Sequence, residues 1–223
     1  MATAASSSAS NGSIAPPPRV AFLGPLGTYS HQATTDFFGD CSLAPQERIS
    51  DVFTSVSTSS TPFGVVPIEN SSFGPVLETA ERLRTTELSV RGMIALKIGH
   101  ALLSQRGVAR DAEGKREMKR VYSHEQGIGQ CRRYLAERYP QVEIIPVNST
   151  AKAAQEAAND AEGLAICSLK CAEVYDLDVV DTDIQDAGFT NTTRFIVLSA
   201  PTTPLPPYYP VARPKPLDAH PEQ

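Results

Sequence analysis

The chain has 223 residues, 41% of them hydrophobic, and its 20 basic and 25 acidic side chains give a net charge of −5. This length suits one large domain or two small lobes with a packed core. No run approaches the roughly 18 apolar residues of a membrane-spanning helix, which argues against a membrane protein. The acidic balance argues against a nucleic-acid partner.

The two ends of the chain differ in composition from its middle. The N-terminal segment is almost all Ala, Ser, Thr, Asn and Gly, and prolines are concentrated in Pro16–Pro18 and Pro201–Pro221. Such segments bury too little apolar surface to offset the entropy of ordering. We therefore expect residues 1–18 and 200–223 to be disordered or extended tails around a folded body at 19–199.

The cysteines and the N-terminal segment indicate a reducing compartment. Cys41, Cys131, Cys167 and Cys171 form neither a disulfide framework nor a zinc spacing, since no histidine lies near the last two. The first residues lack the apolar core of a secretion signal and the arginines of a transit peptide. The sequence therefore predicts free thiols, no metal site and a cytoplasmic location.

Short apolar runs alternate with helical patterns along the body. Strands are predicted at Arg19–Leu23, Phe63–Pro67, Ser89–Leu103, Arg120–Tyr122, Val142–Pro146, Gly163–Ile166 and Arg194–Leu198. Helices are predicted at Tyr29–Phe38, Pro75–Arg84, Gln130–Arg138, Ala151–Asn159 and Leu169–Val174. Because parallel strands need helical crossovers, this order predicts an α/β fold with largely parallel sheets.

Small polar residues cluster where strands pass into helices. Four clusters lie at residues 24–30, 69–74, 123–126 and 148–150, and a fifth at 191–194 precedes the last strand. In open α/β sheets the carboxyl ends of strands line the ligand crevice, where helix N-termini favour anions. Ser, Thr and Asn also cap helices, so each cluster alone admits that structural role. Together the five clusters predict a ligand cleft.

The side chains of these clusters limit what the cleft binds. Hydroxyls, amides and Arg194 predominate, which suits a carboxylate held by neutral donors and a guanidinium fork. The segment Gln126–Gln130 carries a lone G-x-G, too little for a dinucleotide site. Neither a G-x-x-x-x-G-K-[ST] loop nor a G-x-S-x-G motif occurs, so ATP use and serine-hydrolase chemistry lack support.

Four motifs follow one another in a recognisable order. They are G-P-L-G-T-Y-S-H-Q-A at Gly24–Ala33, V-P-I-E-N-S-S-F-G-P-V at Val66–Val76, S-H-E-Q-G-I-G-Q-C at Ser123–Cys131 and N-T-T-R-F at Asn191–Phe195. This series resembles the prephenate dehydratase family, over about residues 19–199.

The resemblance implies a fold and an activity. The fold would be α/β with two lobes, similar to periplasmic ligand-binding proteins, with the substrate in an interlobe cleft. Lobe one would span about 19–97 plus 187–199, and lobe two about 98–186. The activity would be that of a lyase in phenylalanine biosynthesis, which converts prephenate to phenylpyruvate with loss of water and carbon dioxide. No cofactor or metal is implied, and a homodimer is a possible assembly.

The resemblance also assigns roles to individual residues. Thr193 would donate a hydrogen bond or a proton to the departing hydroxyl, and Arg194 would anchor a carboxylate unless it forms a structural ion pair. Six further residues are expected at the substrate: Thr28, Ser30, Asn70, Ser71, Ser123 and Gln130. Helix capping is the alternative for several of these. Glu69, His31 and His124 are expected to play structural or supporting roles.

The sequence departs from the family pattern in three respects. The family often has Phe where Tyr29 stands, and Glu125 with Gly127–Gly129 differs from the usual third motif. No pattern of a regulatory ACT domain follows Ser199, from which we expect no feedback by phenylalanine.

Two other functions stay open at this point. Arogenate dehydratase carries out the same chemistry on a substrate with an amino group in place of the keto oxygen, and no residue decides between the two. A non-catalytic sensor of small anions, of the periplasmic-binding type, would tolerate the loss of Thr193, whereas an enzyme would not.

Overall fold

The computed structural model describes residues 16–108, 118–186 and 191–205. Most of the two predicted tails, at 1–15 and 206–223, lies outside the described residues. No helix in the described ranges is long and apolar enough to cross a membrane. The described chain builds two β-sheets, each flanked by helices, and we call the two units lobe one and lobe two.

Lobe one contains the first half of the chain and the last strand. Its elements are β1 (Arg19–Leu23), α1 (Tyr29–Phe38), β2 (Ser42–Gln46), α2 (Ile49–Ser57), β3 (Phe63–Asn70), β4 (Gly74–Pro75), α3 (Leu77–Leu83), β5 (Ser89–Ile98) and, from the end of the chain, β11 (Asn191–Ser199). The strand order is β2-β1-β3-β11-β5, with β4 beside β3.

Lobe two is formed by the elements between β5 and β11. They are β6 (Ala101–Gln105), β7 (Arg120–Ser123), α4 (Glu125–Gln130), α5 (Arg132–Arg138), β8 (Glu143–Pro146), α6 (Thr150–Ala158), β9 (Gly163–Cys167), α7 (Lys170–Tyr175) and β10 (Leu177–Asp181). The strand order is β10-β6-β9-β7-β8. The predicted two-lobed α/β fold with a cleft between the lobes is confirmed.

Alternation along the strands explains how each sheet is covered on both faces. In β1, Val20 and Phe22 pack with α1, while Ala21 packs with α2 on the other side. In β9, Leu164 and Ile166 pack toward α5, and Ala165 and Cys167 pack toward α6 and α7. Strands buried on both faces have the continuous apolar runs that the sequence shows.

Three sequence predictions of secondary structure are wrong. The sheets are mixed rather than largely parallel, because β11 runs antiparallel to β3 and β5, and β6 runs antiparallel to β9 and β10. The stretch predicted as one strand at Ser89–Leu103 divides at residues 99–100, where the chain passes from lobe one to lobe two.

The third error is an omission. Strands β2, β4 and β10 and helices α2 and α4 were not predicted. Strand β2 contains a proline and lies at the edge of its sheet, where proline is tolerated and the apolar pattern is weak.

Candidate active site

A cavity of about 450 Å³ lies between the two lobes. This size falls within the range of small-molecule sites. Its polar lining residues are Thr28, Ser30, Asn70, His100, His124, Gln126, Gln130, Asn148, Ser149, Thr150, Asn191 and Thr193. Each of the five polar clusters seen in the sequence contributes at least one of them. The cluster pattern thus located the cleft.

Three helices begin at this cavity, each after a strand of one of the sheets. Thr28 caps α1 by accepting from the His31 backbone N–H at 3.3 Å, and Ser149 caps α6 by accepting from the Lys152 N–H at 3.0 Å. His124 caps the short helix α4 in the same way through its Nδ1. The partial positive charge of helix N-termini favours an anionic ligand.

The lining is otherwise uncharged. Among the described lining residues there is no Lys, Arg, Asp or Glu, and the titratable lining side chains are those of Tyr29, His100 and His124. No cluster of three His, Cys, Asp or Glu residues suited to a metal ion occurs in the described part of the chain. Neutral donors, helix starts and histidines therefore determine what the cavity holds.

Thr193 and Asn70 form the central contact of the cavity wall in lobe one. They are paired residues of β11 and β3, and the Asn70 Nδ2 donates to the Thr193 Oγ1 at 2.8 Å. The Asn70 Oδ1 accepts from the backbone N–H groups of Ser72 and Phe73, which fixes the orientation of the amide. Because Thr193 accepts from Asn70, its own hydroxyl hydrogen remains free to donate into the cavity.

Arg194 does not line this cavity, contrary to its predicted role as a carboxylate anchor. Side chains alternate along a strand, so the residue after Thr193 lies on the opposite face of β11. There its Nη1 donates to the Glu69 Oε2 at 2.6 Å, in an exposed ion pair. The structural ion pair left open for Arg194 in the sequence analysis is the arrangement observed.

Two predicted serines also lie outside the cavity lining. The Ser123 hydroxyl is fully buried and donates to the Ile166 carbonyl oxygen at 2.8 Å, which ties β7 to β9. The Ser71 Oγ accepts from the Thr192 backbone N–H at 2.9 Å and so joins the β3–β4 turn to β11. Both hydroxyls therefore join elements of the fold.

The remaining residues expected at the substrate lie in the cavity lining. Thr28, Ser30, Asn70 and Gln130 line the cavity with Thr193, and Thr28 is a helix cap as well. His31 is buried away from the lining, where its Nδ1 accepts from the Gly27 N–H at 3.0 Å. Burial lowers the pKa of His31.

Gln130 belongs to a hydrogen-bond chain that the sequence did not reveal. Its Oε1 lies 2.7 Å from the His100 Nε2, and the His100 Nδ1 lies 3.0 Å from the Tyr29 hydroxyl oxygen. The same hydroxyl lies 3.0 Å from the Gly99 carbonyl oxygen. His100 lies two residues after the end of β5 and in none of the four motifs, so no sequence motif indicated it.

A second set of contacts holds lobe one against lobe two beside the cavity. The Tyr175 hydroxyl donates to the Leu26 carbonyl oxygen at 2.7 Å, and the Ser168 hydroxyl and the Cys171 thiol both donate to the Gly27 carbonyl oxygen. Gly27 has φ +87°, and a Cβ there would lie 2.9 Å from the Cys171 Sγ. Glycine is therefore required at this contact, both for its conformation and for the close approach.

Asn191 is a further lining residue without a predicted role. Its side chain is 5% exposed, and its Oδ1 has no hydrogen-bond partner among the described residues. An unpaired buried acceptor costs free energy and calls for an explanation. Asn191 precedes Thr193 by two residues, so the two side chains share one face of β11.

Comparison with known proteins adds an independent finding. The family model described as prephenate dehydratase matches residues 20–203 of the chain. A bifunctional chorismate mutase/prephenate dehydratase of Aquifex aeolicus is 37% identical over 182 residues, which are 81% of this chain and 48% of that protein. The chain spans about half the length of the curated relatives it matches.

Two further similarities bear on substrate and fold. Arogenate dehydratase/prephenate dehydratase 2 of Arabidopsis thaliana, a chloroplastic protein, is 34% identical over 194 residues, covering 86% of this chain and 48% of that one. The crystal structure of prephenate dehydratase from Arthrobacter aurescens in complex with L-Phe has a TM-score of 0.71 at 29% identity. That match covers 82% of this chain and 60% of the other.

Proposed function

This chain belongs to the prephenate dehydratase family, and from that premise we propose that it converts prephenate to phenylpyruvate, water and carbon dioxide. The observation that supports this most directly is the Thr193 hydroxyl. It accepts from Asn70 and has its hydrogen free at a cavity of neutral donors and helix starts.

The reaction needs little chemistry from the protein. The ring carboxylate leaves as carbon dioxide, and the electron pair of its C–C bond enters the ring. The ring becomes aromatic and expels the hydroxyl at the opposite carbon, which takes up one proton and leaves as water. A donor aimed at the departing oxygen stabilises the charge that develops there.

The residues of the cavity divide between these tasks. Thr193 donates to the departing oxygen, and Asn70 holds the threonine oxygen in place. The starts of α1 and α6, with Ser30 and Thr150, receive the two carboxylates of the substrate in place of the arginine first expected. Gln130 supplies an amide donor from lobe two.

Asn191 has a role in this scheme. If the substrate hydroxyl accepts from Thr193, its own hydrogen needs an acceptor, and the unpaired Oδ1 of Asn191 provides one. Leucine is similar in size to asparagine but lacks the acceptor. We therefore expect Asn191→Leu to lower kcat/KM about tenfold, which corresponds to the free energy of one hydrogen bond. Steady-state kinetics with a melting curve measures this, and an unchanged kcat/KM would contradict the role.

The contacts between the lobes should act on substrate binding. Tyr175→Phe removes one interlobe hydrogen bond, and we expect KM to rise about threefold with little change in kcat. Tyr122→Phe is the matched control, because the Tyr122 hydroxyl donates to Asp160 within lobe two. Equal KM values for the two variants would show that the Tyr175 contact does not act on binding.

The direct test is an ultraviolet assay for phenylpyruvate after purified protein is mixed with prephenate. We expect product without any added cofactor or metal. A parallel assay with arogenate, in which phenylalanine is the product measured, decides between the two substrates, both of which occur in the names of relatives. No phenylpyruvate from prephenate would refute the proposed activity.

Location and assembly are further parts of the proposal. All four cysteines are free, which supports a reducing compartment, and we place the enzyme in the cytoplasm. We also expect a homodimer, which light scattering on the purified protein would detect.

A further inference from the structure

His100 is a buried titratable group at the point where the chain passes between the lobes. Its side chain lies between residues of both lobes: Tyr29 of α1 in lobe one and Gln130 of α4 in lobe two. Its backbone N–H donates to the Gln185 Oε1 at 2.9 Å, and its carbonyl oxygen accepts from the Ile184 N–H at 3.1 Å. The backbone of His100 and both of its ring nitrogens therefore have partners beside the cavity that the residue lines.

The hydrogen-bond chain around His100 satisfies two protonation states. In the neutral state with the proton on Nε2, that N–H donates to the Gln130 Oε1, and Nδ1 accepts from the Tyr29 hydroxyl. In the imidazolium, Nδ1–H donates to the Tyr29 oxygen, and the tyrosine hydroxyl turns to the Gly99 carbonyl oxygen. Only one hydroxyl hydrogen changes direction, so a proton is gained without any loss of hydrogen bonds.

The surroundings determine when the proton is gained. Burial lowers the pKa of His100, so the substrate-free site holds it neutral at pH 7. Burial raises the pKa of Tyr29, and it raises that of Cys131 to about 12, so both groups stay neutral. Other titratable groups on the elements around His100 include His31 of α1, the exposed Lys97 of β5, and His124 and Glu125 at the start of α4. The Asp183 and Asp186 carboxylates follow β10, and Asp186 accepts from two N–H groups of α5.

We propose that His100 takes up a proton when the dianionic substrate binds and supplies the positive charge that the described lining otherwise lacks. This rests on the proposed function, since the substrate brings the two carboxylates. A negative charge in the same low-dielectric pocket favours the imidazolium. Tyr29 then serves as the acceptor for the new N–H.

The sign of the pH dependence follows from the two states. His100 has a higher pKa in the bound complex than in the free protein, so the substrate binds most tightly to protein in which His100 is already protonated. KM is therefore lowest at a pH below the pKa of His100 in the free protein. KM then rises with pH until it passes the pKa of His100 in the complex. The substitution His100→Asn should raise KM about tenfold at pH 7 and flatten this rise.

The decisive experiment measures proton uptake by titration calorimetry with prephenate at pH 7, in two buffers of different ionisation enthalpy. The Thr193→Ala protein is used, because turnover itself consumes a proton. We expect uptake of about 0.5 to 1 proton per site. Adding Tyr29→Phe should reduce the uptake at least about twofold, because the imidazolium loses its acceptor, and adding His100→Asn should abolish it.

His124→Asn is the matched control, since this second histidine of the lining should leave the uptake unchanged. Uptake that persists in His100→Asn, or that disappears in His124→Asn, overturns the proposal. Imidazole NMR of isotope-labelled protein gives a readout that needs no His100 variant: a His100 ring that stays neutral with saturating prephenate also overturns it. Failure of the proposed function is read separately, as absence of phenylpyruvate formation by the unmutated protein.

Discussion

Thr193→Ala is expected to lower kcat for prephenate at least about 100-fold, which corresponds to about 2.7 kcal/mol of lost transition-state stabilisation. The alanine lacks the hydroxyl whose hydrogen is free at the cavity, while Asn70 keeps the two turn contacts made by its Oδ1. Only a small side chain changes, so the melting temperature should stay within about 5 °C. Single-turnover assays with a melting curve measure both quantities.

Two variants test this result from either side. Thr193→Ser keeps a hydroxyl at the same position and should stay within about tenfold of the original kcat. Thr192→Ala changes the neighbouring threonine, whose side chain lies on the other face of β11, and should leave kcat unchanged. Near-full activity of Thr193→Ala would remove Thr193 from the mechanism.

Local sequence patterns were sufficient to predict many of the helices and strands. Helix α1 has the bounds predicted from sequence because both of its ends carry strong signals: a threonine cap at Thr28 and a positive-φ glycine at Gly39. The mixed sheets could not be predicted in this way. Antiparallel pairing of β11 with β3 joins residues 123 positions apart, and no local pattern contains that pairing.

The same limit explains the errors at the candidate site. The N-T-T-R-F motif placed Thr193 and Arg194 side by side in sequence, but only strand alternation and register determine that one faces the cavity and the other meets Glu69. His100 and Tyr29 come from separate elements and meet at the passage between the lobes. Motifs therefore located the cleft, whereas the charge balance within it required the three-dimensional arrangement.

Asn70→Asp is expected to lower kcat about 100-fold and to raise KM about tenfold. Aspartate keeps the acceptors for the backbone N–H groups of Ser72 and Phe73, so the turn after β3 should survive. It has no N–H to donate to the Thr193 Oγ1. The new carboxylate instead accepts the hydrogen of the Thr193 hydroxyl, so this hydrogen no longer points at the substrate. The negative charge of the carboxylate also repels the dianionic substrate.

Glu69→Gln is the matched control for this change, because it alters the adjacent residue of the same strand. Glu69 lies on the other face of β3, where its exposed pair with Arg194 contributes little to stability. We expect kcat within about twofold of the original for Glu69→Gln, since no group at the cavity changes. If instead both variants lost activity equally, the effect would come from the turn as a whole, and the hydrogen bond from Asn70 to Thr193 would have no separate role in catalysis.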